Sequence, residues 1–499
     1  MSEAGRRRAL AAVATLGLCA GAPPSWFPGA PFLLFAGLLA FARLCRRERS
    51  ARLVWIVGFL HLLWFSRSLW PVVGPGVVAI AGLGAVYGLL VRCWTRAGLR
   101  NGMPSLAFGC GVAATAWLRA HLPEIPYPHA QPCHAFHATP WLLGPVAWGG
   151  EALANLLLAT LASSLGDLRS VRGRGVAIVL SITWAALCLL DPPRASAPSD
   201  APASLRLAVF QSAYPLPDLP REAEFERFAA LARATDEIAG RAAASPPSLV
   251  VWPESALPIL ARGSPPRLDK NLPLPLAEKT RLLAGTVLDQ RPPRAIAALL
   301  DADGRLIDWH EKLRPVPAGE RLPFLCCIPE VFASPLLDFC TRIVGFRPDL
   351  EAGDPRPPLR SADGVPFAAL TCFDNAFESV ARRAVQDGAR LLVVLSNESW
   401  YRLGAELDQM LAMSVCRALE TGTPIVRSTV DGLTCAIDAR GRVIAALPRG
   451  ASGGPRRLDL DVEPGPGALP PLAWLHDLVA ALVLGSALLL AARRGRGMG

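Results

Sequence analysis

The apolar residues of the chain are concentrated in separate stretches at its beginning and its end. Several stretches are shorter than the roughly 20 residues that a helix needs to cross a bilayer, so the set indicates membrane helices better than any single member does. We predict eight transmembrane helices, seven before a long mixed region and one after it. The stretches cover residues 10–22, 31–42, 53–65, 72–91, 104–118, 153–165, 176–190 and 472–492.

The arginines strengthen this prediction because they cluster in alternate connections between the apolar stretches. Positive residues favour the cytoplasmic side of a membrane, so the pattern predicts that both termini are cytoplasmic and that the mixed region is extracytoplasmic. A cleaved signal peptide in place of the first helix remains an alternative. The clusters lie at residues 6–8, 43–52, 92–100, 169–174 and 493–496.

The mixed region has the short-range pattern of a layered α/β domain. Short β-rich runs at residues 205–211, 248–252, 368–372 and 391–396 alternate with helical spacing at 221–244, 377–387 and 410–420. The run before Asn397 is continuously apolar, which indicates a strand buried on both faces. Proline-rich or glycine-rich segments flank the region and are typical of boundaries. We therefore predict four parts, which are a transmembrane bundle of seven helices (1–191), a linker (192–204), the α/β domain (205–464), and a last transmembrane helix with a basic tail (465–499).

Composition and charge exclude some classes of function. The chain is 52% hydrophobic and carries a formal net charge of +10. Its arginines mark connections rather than one face, so they do not predict nucleic-acid binding. The histidines of the proline-rich loop, His129, His134 and His137, are irregularly spaced beside Cys133, and we predict no metal ligands there.

The 12 cysteines carry less information than their number indicates. Several lie in apolar stretches, where a thiol behaves as a small hydrophobic group. None of the later cysteines has metal-type CxxC spacing, and disulfide pairing among them stays undetermined. These later residues are Cys326, Cys327, Cys340, Cys416 and Cys435.

Three candidate catalytic residues follow predicted strands: Glu254, Lys312 and Cys372. A thiol that attacks a carbonyl group needs a base, and it needs a cation or hydrogen-bond donors to stabilise the oxyanion. Each residue also has an ordinary interpretation, as a helix-start carboxylate, a surface lysine and a buried thiol. The lysine is the most informative because only three occur in the chain.

Four motifs occur in a recognisable order. They are Trp-Pro-Glu-Ser at 252–255, Lys-x-x-x-Val-Pro-x-Gly-Glu at 312–320, Thr-Cys-Phe-Asp at 371–374, and Ser-Asn-Glu-Ser-Trp at 396–400. Together they resemble the carbon–nitrogen hydrolase (nitrilase) superfamily, and the predicted eight-helix frame resembles its membrane branch, the apolipoprotein N-acyltransferases. The resemblance implies that the extracytoplasmic domain is a nitrilase-like α-β-β-α sandwich.

The resemblance also implies roles for individual residues. Cys372 would be the nucleophile, Glu254 the general base and Lys312 the oxyanion-stabilising cation. Further residues of the motifs would support them, namely Glu320, Asp374, Asn397 and Trp400. The implied reaction moves an acyl chain from a phospholipid, through a cysteine thioester, to the N-terminal amine of a diacylglyceryl-cysteine lipoprotein. The resemblance further implies a monomeric protein of the bacterial inner membrane that uses no cofactor.

Several positions depart from the family pattern. Phe373-Asp374 stands where the family has Tyr-Glu, Glu398 stands in place of Asp, Ala318 replaces Phe, and residues 211–226 contain no Trp. Two alternatives therefore stay open. One is a membrane-tethered amidase in which water replaces the amine, and the other is a non-catalytic homologue that binds lipoproteins.

Overall fold

The computed structural model of the chain describes residues 2–23, 29–196, 204–212, 221–240, 243–257, 261–262, 267–268, 276–344, 347–401, 405–449 and 454–492. The chain forms two compact units. The helical unit comprises Met1–Pro193, Leu403–Glu420 and Pro471–Gly499, and the sheet unit comprises Arg194–Arg402 and Thr421–Pro470. The predicted basic tail and most of the linker lie outside the described residues.

The first part of the helical unit is built from helices at the predicted apolar stretches. Small residues let these helices approach closely, since a Cβ added at Gly17 would lie 2.6 Å from Cα of Gly37 on the next helix. The helices are α1 Glu3–Ala20, α2 Ala30–Arg46, α3 Ala51–Ser66, α4 Trp70–Val73, α5 Gly76–Arg100, α6 Pro104–His121, α7 Gly144–Leu165 and α8 Val171–Leu189.

Among the described residues, four segments are long and apolar enough to span a membrane. They differ in burial, because α8 presents Ile178, Val179 and Ile182 at its surface with exposures of 59%, 62% and 64%, whereas most of α7 is buried. Exposed apolar rows of this kind are stable against lipid. The number of crossings, eight, stays a prediction. The four segments are Glu48–Val73, Gly76–Arg100, Gly144–Leu165 and Val171–Leu189.

The described strands of the sheet unit form two β-sheets. One has the strand order β14-β1-β2-β5-β3-β4, with β6 paired to β5 and β7 paired to β6, and the other has the order β13-β12-β11-β10-β9-β8. The strands are β1 Leu205–Gln211, β2 Leu249–Val251, β3 Ala261–Arg262, β4 Arg267–Leu268, β5 Arg281–Asp289, β6 Arg294–Leu300, β7 Leu306–Glu311, β8 Leu359–Arg360, β9 Pro366–Thr371, β10 Leu392–Ser396, β11 Ile425–Thr429, β12 Cys435–Ile437, β13 Val443–Ala446 and β14 Arg456–Val462.

The two sheets share a core of aliphatic and aromatic residues, including Val209 and Val251 from the first sheet and Phe367 and Val393 from the second. Runs such as 391–395 are apolar at every position because both faces of the strand are buried. Helix α9 Arg221–Ala239 packs on the first sheet, and α11 Glu378–Gln386 contacts β9 of the second. Helix layers therefore cover both sheets, in the order α-β-β-α.

Some elements of the structure differ from the predicted ones. Strand β14 was not expected, yet it pairs antiparallel with β1 along the whole strand, from Leu205 opposite Val462 to Gln211 opposite Arg456. Helix α10 Glu330–Val344 was also not expected, and α12 Ala405–Thr421 begins earlier than the predicted helix at 410–420. The last helix is α13 Trp474–Ala492. The Arg and Asp residues of β14 make its composition untypical of a strand, although its apolar residues occupy alternate positions.

Candidate active site

The chain changes direction sharply at Cys372. Strand β9 ends at Thr371, and Cys372 opens a 3₁₀ turn, Cys372–Ala376, with a positive φ of 51°. A non-glycine residue in this left-handed region is uncommon and is held there by the surrounding structure. Such a tight strand-to-turn connection sets the position of the thiol at the end of the sheet.

Lys312 lies immediately after β7 and is completely buried. Its Nζ atom donates to Oε1 of Glu254 at 3.0 Å and to Oε1 of Glu320 at 2.7 Å. A buried ammonium needs such partners, because an unpaired charge is strongly unfavourable away from water. The structure therefore brings together the lysine and both carboxylates that the motifs identify.

The outer oxygens of the two carboxylates are also fixed. Oε2 of Glu254 accepts a hydrogen bond from the backbone N–H of Asn397 at 2.8 Å, and Oε2 of Glu320 accepts one from the N–H of Val316 at 2.8 Å. Glu254 is in a turn rather than at a helix start, so the ordinary interpretation of that residue is wrong. That of Lys312 as a surface lysine is wrong as well.

The electrostatics of the site concern the lysine and the thiol. Burial opposes the charged form of Lys312, but Glu254 and Glu320 together raise its pKa well above the ordinary value. Burial raises the pKa of the Cys372 thiol strongly, Glu254 raises it further, and Lys312 opposes both effects. The resting site thus holds an ammonium and a protonated thiol, and the thiol needs a base before it can react.

Close packing of the backbone positions Glu254. A Cβ added at Gly285 on β5 would lie 2.6 Å from Cα of Glu254. The N–H of Gly285 donates to the carbonyl of Pro253, and its carbonyl accepts from the N–H of Leu257. Any larger residue at 285 would displace the turn that carries the carboxylate.

Asp374 connects the cysteine turn to the lysine segment. Its carboxylate accepts from the backbone N–H groups of Leu313 at 3.1 Å, Arg314 at 2.7 Å and Thr371 at 3.1 Å. Burial raises its pKa to about 6, although Lys312 and these N–H groups act in the opposite direction. The shorter side chain, which departs from the family pattern, therefore still reaches both segments.

His310 has a supporting position that the sequence did not reveal. Its Nδ1 atom lies 3.2 Å from the backbone N of Ala369 on β9, and its Nε2 atom lies 2.8 Å from the carbonyl of Pro357. The neutral ring can therefore accept from one group and donate to the other. A lone histidine two residues before Lys312, on the same side of the strand, was the available signal.

The segment after β10 combines several roles. The Asn397 side chain accepts from the N–H and hydroxyl of Ser399, while Glu398 forms a fully buried ion pair with Arg427 of β11. Trp400 ends this turn and is half-buried. The unusual Glu398 thus has a buried cationic partner in the same unit. Its extra length does not leave an isolated charge.

Two sheets that bring a cysteine, a lysine and two glutamates together define the sheet unit as a carbon–nitrogen hydrolase domain. In agreement, the carbon-nitrogen hydrolase family model matches residues 289–454. The apolipoprotein N-acyltransferase of Gloeobacter violaceus is 27% identical over 477 residues, which cover 88% of this chain and 86% of the relative. The chain is therefore similar to apolipoprotein N-acyltransferases over most of its length, and its sheet unit matches the carbon-nitrogen hydrolase family.

A second relative and a solved structure complete the comparison. The apolipoprotein N-acyltransferase of Caulobacter vibrioides is 28% identical over 529 residues, covering 95% of this chain and 92% of the relative. Nit3 of Saccharomyces cerevisiae, from branch 10 of the nitrilase superfamily, is 17% identical with a TM-score of 0.36, covering 53% of this chain and 93% of its own. The apolar helices and the bacterial relatives indicate a bacterial membrane protein.

Proposed function

We propose that this protein transfers a fatty acyl chain from a phospholipid to the N-terminal amine of a diacylglyceryl-cysteine lipoprotein. Long relatives that carry the name apolipoprotein N-acyltransferase support the reaction class. Phospholipid and lipoprotein are the substrates that this reaction requires. The amidase and the non-catalytic alternatives gain no support from these relatives.

The observation that carries the residue assignment is the buried contact set of Lys312. One ammonium lies between two carboxylates, and all three charges act on the pKa of Cys372. We assign Cys372 as the nucleophile, Glu254 as the base and Lys312 as the oxyanion-stabilising cation. Glu320 and Asp374 position Lys312 and its neighbours, and Asn397 positions Glu254 through its backbone N–H.

In the first step Glu254 takes the proton of the Cys372 thiol as the sulfur attacks the ester carbonyl of the phospholipid. The carbon–sulfur bond forms, and the negative charge on the carbonyl oxygen is stabilised by Lys312. Collapse of this intermediate breaks the ester bond, and Glu254 returns the proton to the departing lysophospholipid oxygen. A thioester on Cys372 and a lysophospholipid with a free hydroxyl group remain.

In the second step the lipoprotein amine attacks the thioester carbonyl. Glu254 accepts a proton from the amine, Lys312 again stabilises the oxyanion, and the carbon–nitrogen bond replaces the carbon–sulfur bond. The proton then passes from Glu254 to the sulfur, which restores the thiol. Dividing the transfer into two steps at one nucleophile avoids a direct reaction between the two lipids.

We also propose where this reaction takes place. Eight helices cross the bacterial inner membrane, and the sheet unit lies on the periplasmic side, as the alternating arginine clusters indicate. Both substrates then reach the protein from the outer leaflet. A monomer is sufficient for this reaction, since one chain supplies each proposed catalytic group.

The test uses the purified full chain, a phospholipid with a labelled acyl chain, and a diacylglyceryl peptide. Wild type should form a labelled thioester when the peptide is omitted and labelled N-acyl peptide when it is added. Cys372→Ala should form neither, and Glu254→Gln should form little thioester. Cys435→Ala, which removes another buried thiol of the sheet unit, is the matched control and should retain both reactions.

The same experiment distinguishes the alternatives. Label recovered as free fatty acid in the presence of the peptide would indicate an amidase-like hydrolase. Absence of any labelled thioester or product from correctly folded wild type would indicate the non-catalytic homologue. Product formed by Cys372→Ala would refute the assignment of the nucleophile.

A further inference from the structure

A second cluster of chemically active side chains lies in the helical unit, apart from the residues assigned to catalysis. Cys133 and His134 belong to a 3₁₀ turn, Pro132–Phe136, and Cys416 belongs to α12. All three side chains are buried, and one potential ligand atom from each lies within 4.8 Å of the others. The cluster combines two distant segments of the chain, so it has no sequence motif.

The distances are close to those of a filled metal site. Zinc bonds of about 2.3 Å to sulfur and about 2.0 Å to nitrogen, in tetrahedral geometry, separate the ligand atoms by roughly 3.6–3.8 Å. The cluster would need to contract by about 1 Å at most to reach this spacing from its limit of 4.8 Å. Two thiolates and an imidazole form a ligand set that favours zinc over hard cations.

The environment of His134 provides an independent indication. Its Nε2 atom lies 2.9 Å from Oε1 of Glu151, and Arg417 also donates to that oxygen at 2.7 Å. The carboxylate therefore accepts the Nε2 proton, which leaves Nδ1 as the atom with a free electron pair. Nδ1 is buried and has no nitrogen or oxygen hydrogen-bond partner among the described residues, and the Cys416 thiol interacts with the ring. A carboxylate behind a histidine is the common outer arrangement at metal sites.

Hydrogen bonds also hold the backbone around the cluster in position. The side-chain oxygen of Asn155 accepts from the N–H of Cys133 at 2.9 Å, and its amide donates to Gln131 at 2.8 Å. In α7 the helical geometry is interrupted at Gly149 and Gly150, immediately before Glu151. These contacts fix the turn that carries two of the three ligands, and they fix it before any ion binds.

We propose that Cys133, His134 and Cys416 bind a thiophilic divalent cation, with zinc as the expected ion. The two thiolates neutralise the charge of the ion, and Glu151 orients the imidazole. Three protein ligands leave one position of the tetrahedron for water. The ion would connect the turn Pro132–Phe136 to α12 and stabilise the helical unit. This proposal is independent of the function proposed for the sheet unit.

The primary test is the metal content of the full chain, purified in detergent without chelators and with zinc in the growth medium. Wild type should contain about one zinc per chain, and the double variant Cys133→Ser/Cys416→Ser should contain less than about a tenth of that. The matched control is Cys110→Ser, a buried thiol of α6, which should retain the ion. Cobalt in place of zinc should give sulfur-to-metal absorption in wild type alone.

A milder variant keeps the proposal testable if the double variant does not fold. Glu151→Gln leaves all three ligands in place and should weaken zinc binding by about 10–100-fold in competition with a chelator. Three results would overturn the proposal. They are a metal-free wild type, equal zinc content in the ligand variants and the Cys110→Ser control, or a Cys133–Cys416 disulfide in the isolated protein.

Discussion

Two ion clusters among the described residues of the sheet unit differ in their organisation. Lys312 contacts two carboxylates, whose side chains are 11% and 27% exposed at Glu254 and Glu320. Arg427 contacts one carboxylate, Glu398, and both of these side chains are fully buried. The first cluster thus has one acid group in excess and partial access to solvent, whereas the second is balanced and closed.

The difference indicates that the Lys312 cluster serves catalysis and that the Arg427–Glu398 pair serves stability. An excess carboxylate beside a protonated thiol can accept a proton, and the partial exposure leaves space for a reacting group. A balanced and closed pair has no such capacity, and its main effect appears when one partner is removed. We therefore expect mutations in the two clusters to affect different measurements.

The largest effect is expected from Lys312→Met, which removes the cation and retains much of the side-chain volume. Loss of one oxyanion-stabilising group typically reduces turnover by about 10²–10³, and the remaining carboxylates then raise the pKa of Cys372 further. Single-turnover acylation of Cys372 by labelled phospholipid measures the change. Lys279→Met, at an exposed lysine of the same unit, should react at the wild-type rate, and equal loss in both variants would contradict the assignment.

Arg427→Met should affect stability more than chemistry. Breaking a buried ion pair by removing one partner costs about 3–5 kcal/mol, because the other charge remains buried. Thermal unfolding in detergent should show a lower Tm than for Arg440→Met, an exposed arginine of the same unit. Adding Glu398→Gln to Arg427→Met should recover part of the loss. A double variant no more stable than the single one would contradict this account of the pair.

Gly285→Ala should have an intermediate effect that links both measurements. The new methyl group would lie 2.6 Å from Cα of Glu254, and such overpacking costs about 1–3 kcal/mol. The displaced turn should also slow the acylation of Cys372. The control Gly175→Ala, where no atom lies within 4 Å of an added Cβ, should change neither. Unchanged acylation in Gly285→Ala would show that the position of Glu254 tolerates the displacement.

The smallest effect is expected from pH acting on His310. Burial lowers its pKa below the ordinary value of 6.5, so the native state binds fewer protons than the unfolded state once the pH falls below that value. This contribution to stability is complete above pH 6.5 and is lost as the pH falls toward the native pKa. His310→Gln should flatten the pH dependence of Tm in that range relative to His121→Gln, an exposed histidine. An identical dependence would exclude His310 as the cause.

Local patterns predicted much of the fold because burial leaves a clear periodic signal. The continuous apolar run before Asn397 indicated a strand buried on both faces, and β10 has that character. The signal was weak for β14, whose Arg and Asp residues are interspersed with the partly buried Leu458 and the buried Leu460 and Val462. The pairing with β1 that makes it a strand is a contact between the two ends of the domain.

The catalytic candidates were accessible to sequence reasoning because each follows a strand within a short motif. Their supporting contacts were less accessible. Asp374 binds backbone N–H groups near residue 313, and the role of His310 depends on β9, so neither can be inferred from neighbours in the chain. Backbone groups are present at every residue, and only the fold selects which of them a side chain meets.

By itself, the sequence determined the apolar helices of the helical unit, the α/β character of the central region, and the order of Glu254, Lys312 and Cys372. Only the tertiary structure decided that Lys312 is shared by two carboxylates, and that Cys416 lies beside Cys133 and His134. Hydrophobic periodicity is a property of residues close together in the chain, so it can be recognised from the sequence alone. The partners of a buried charge or thiol come from other segments of the chain, as Glu254 lies 58 residues from Lys312 and Cys416 is still further from Cys133. The packing that desolvates these groups also selects their partners.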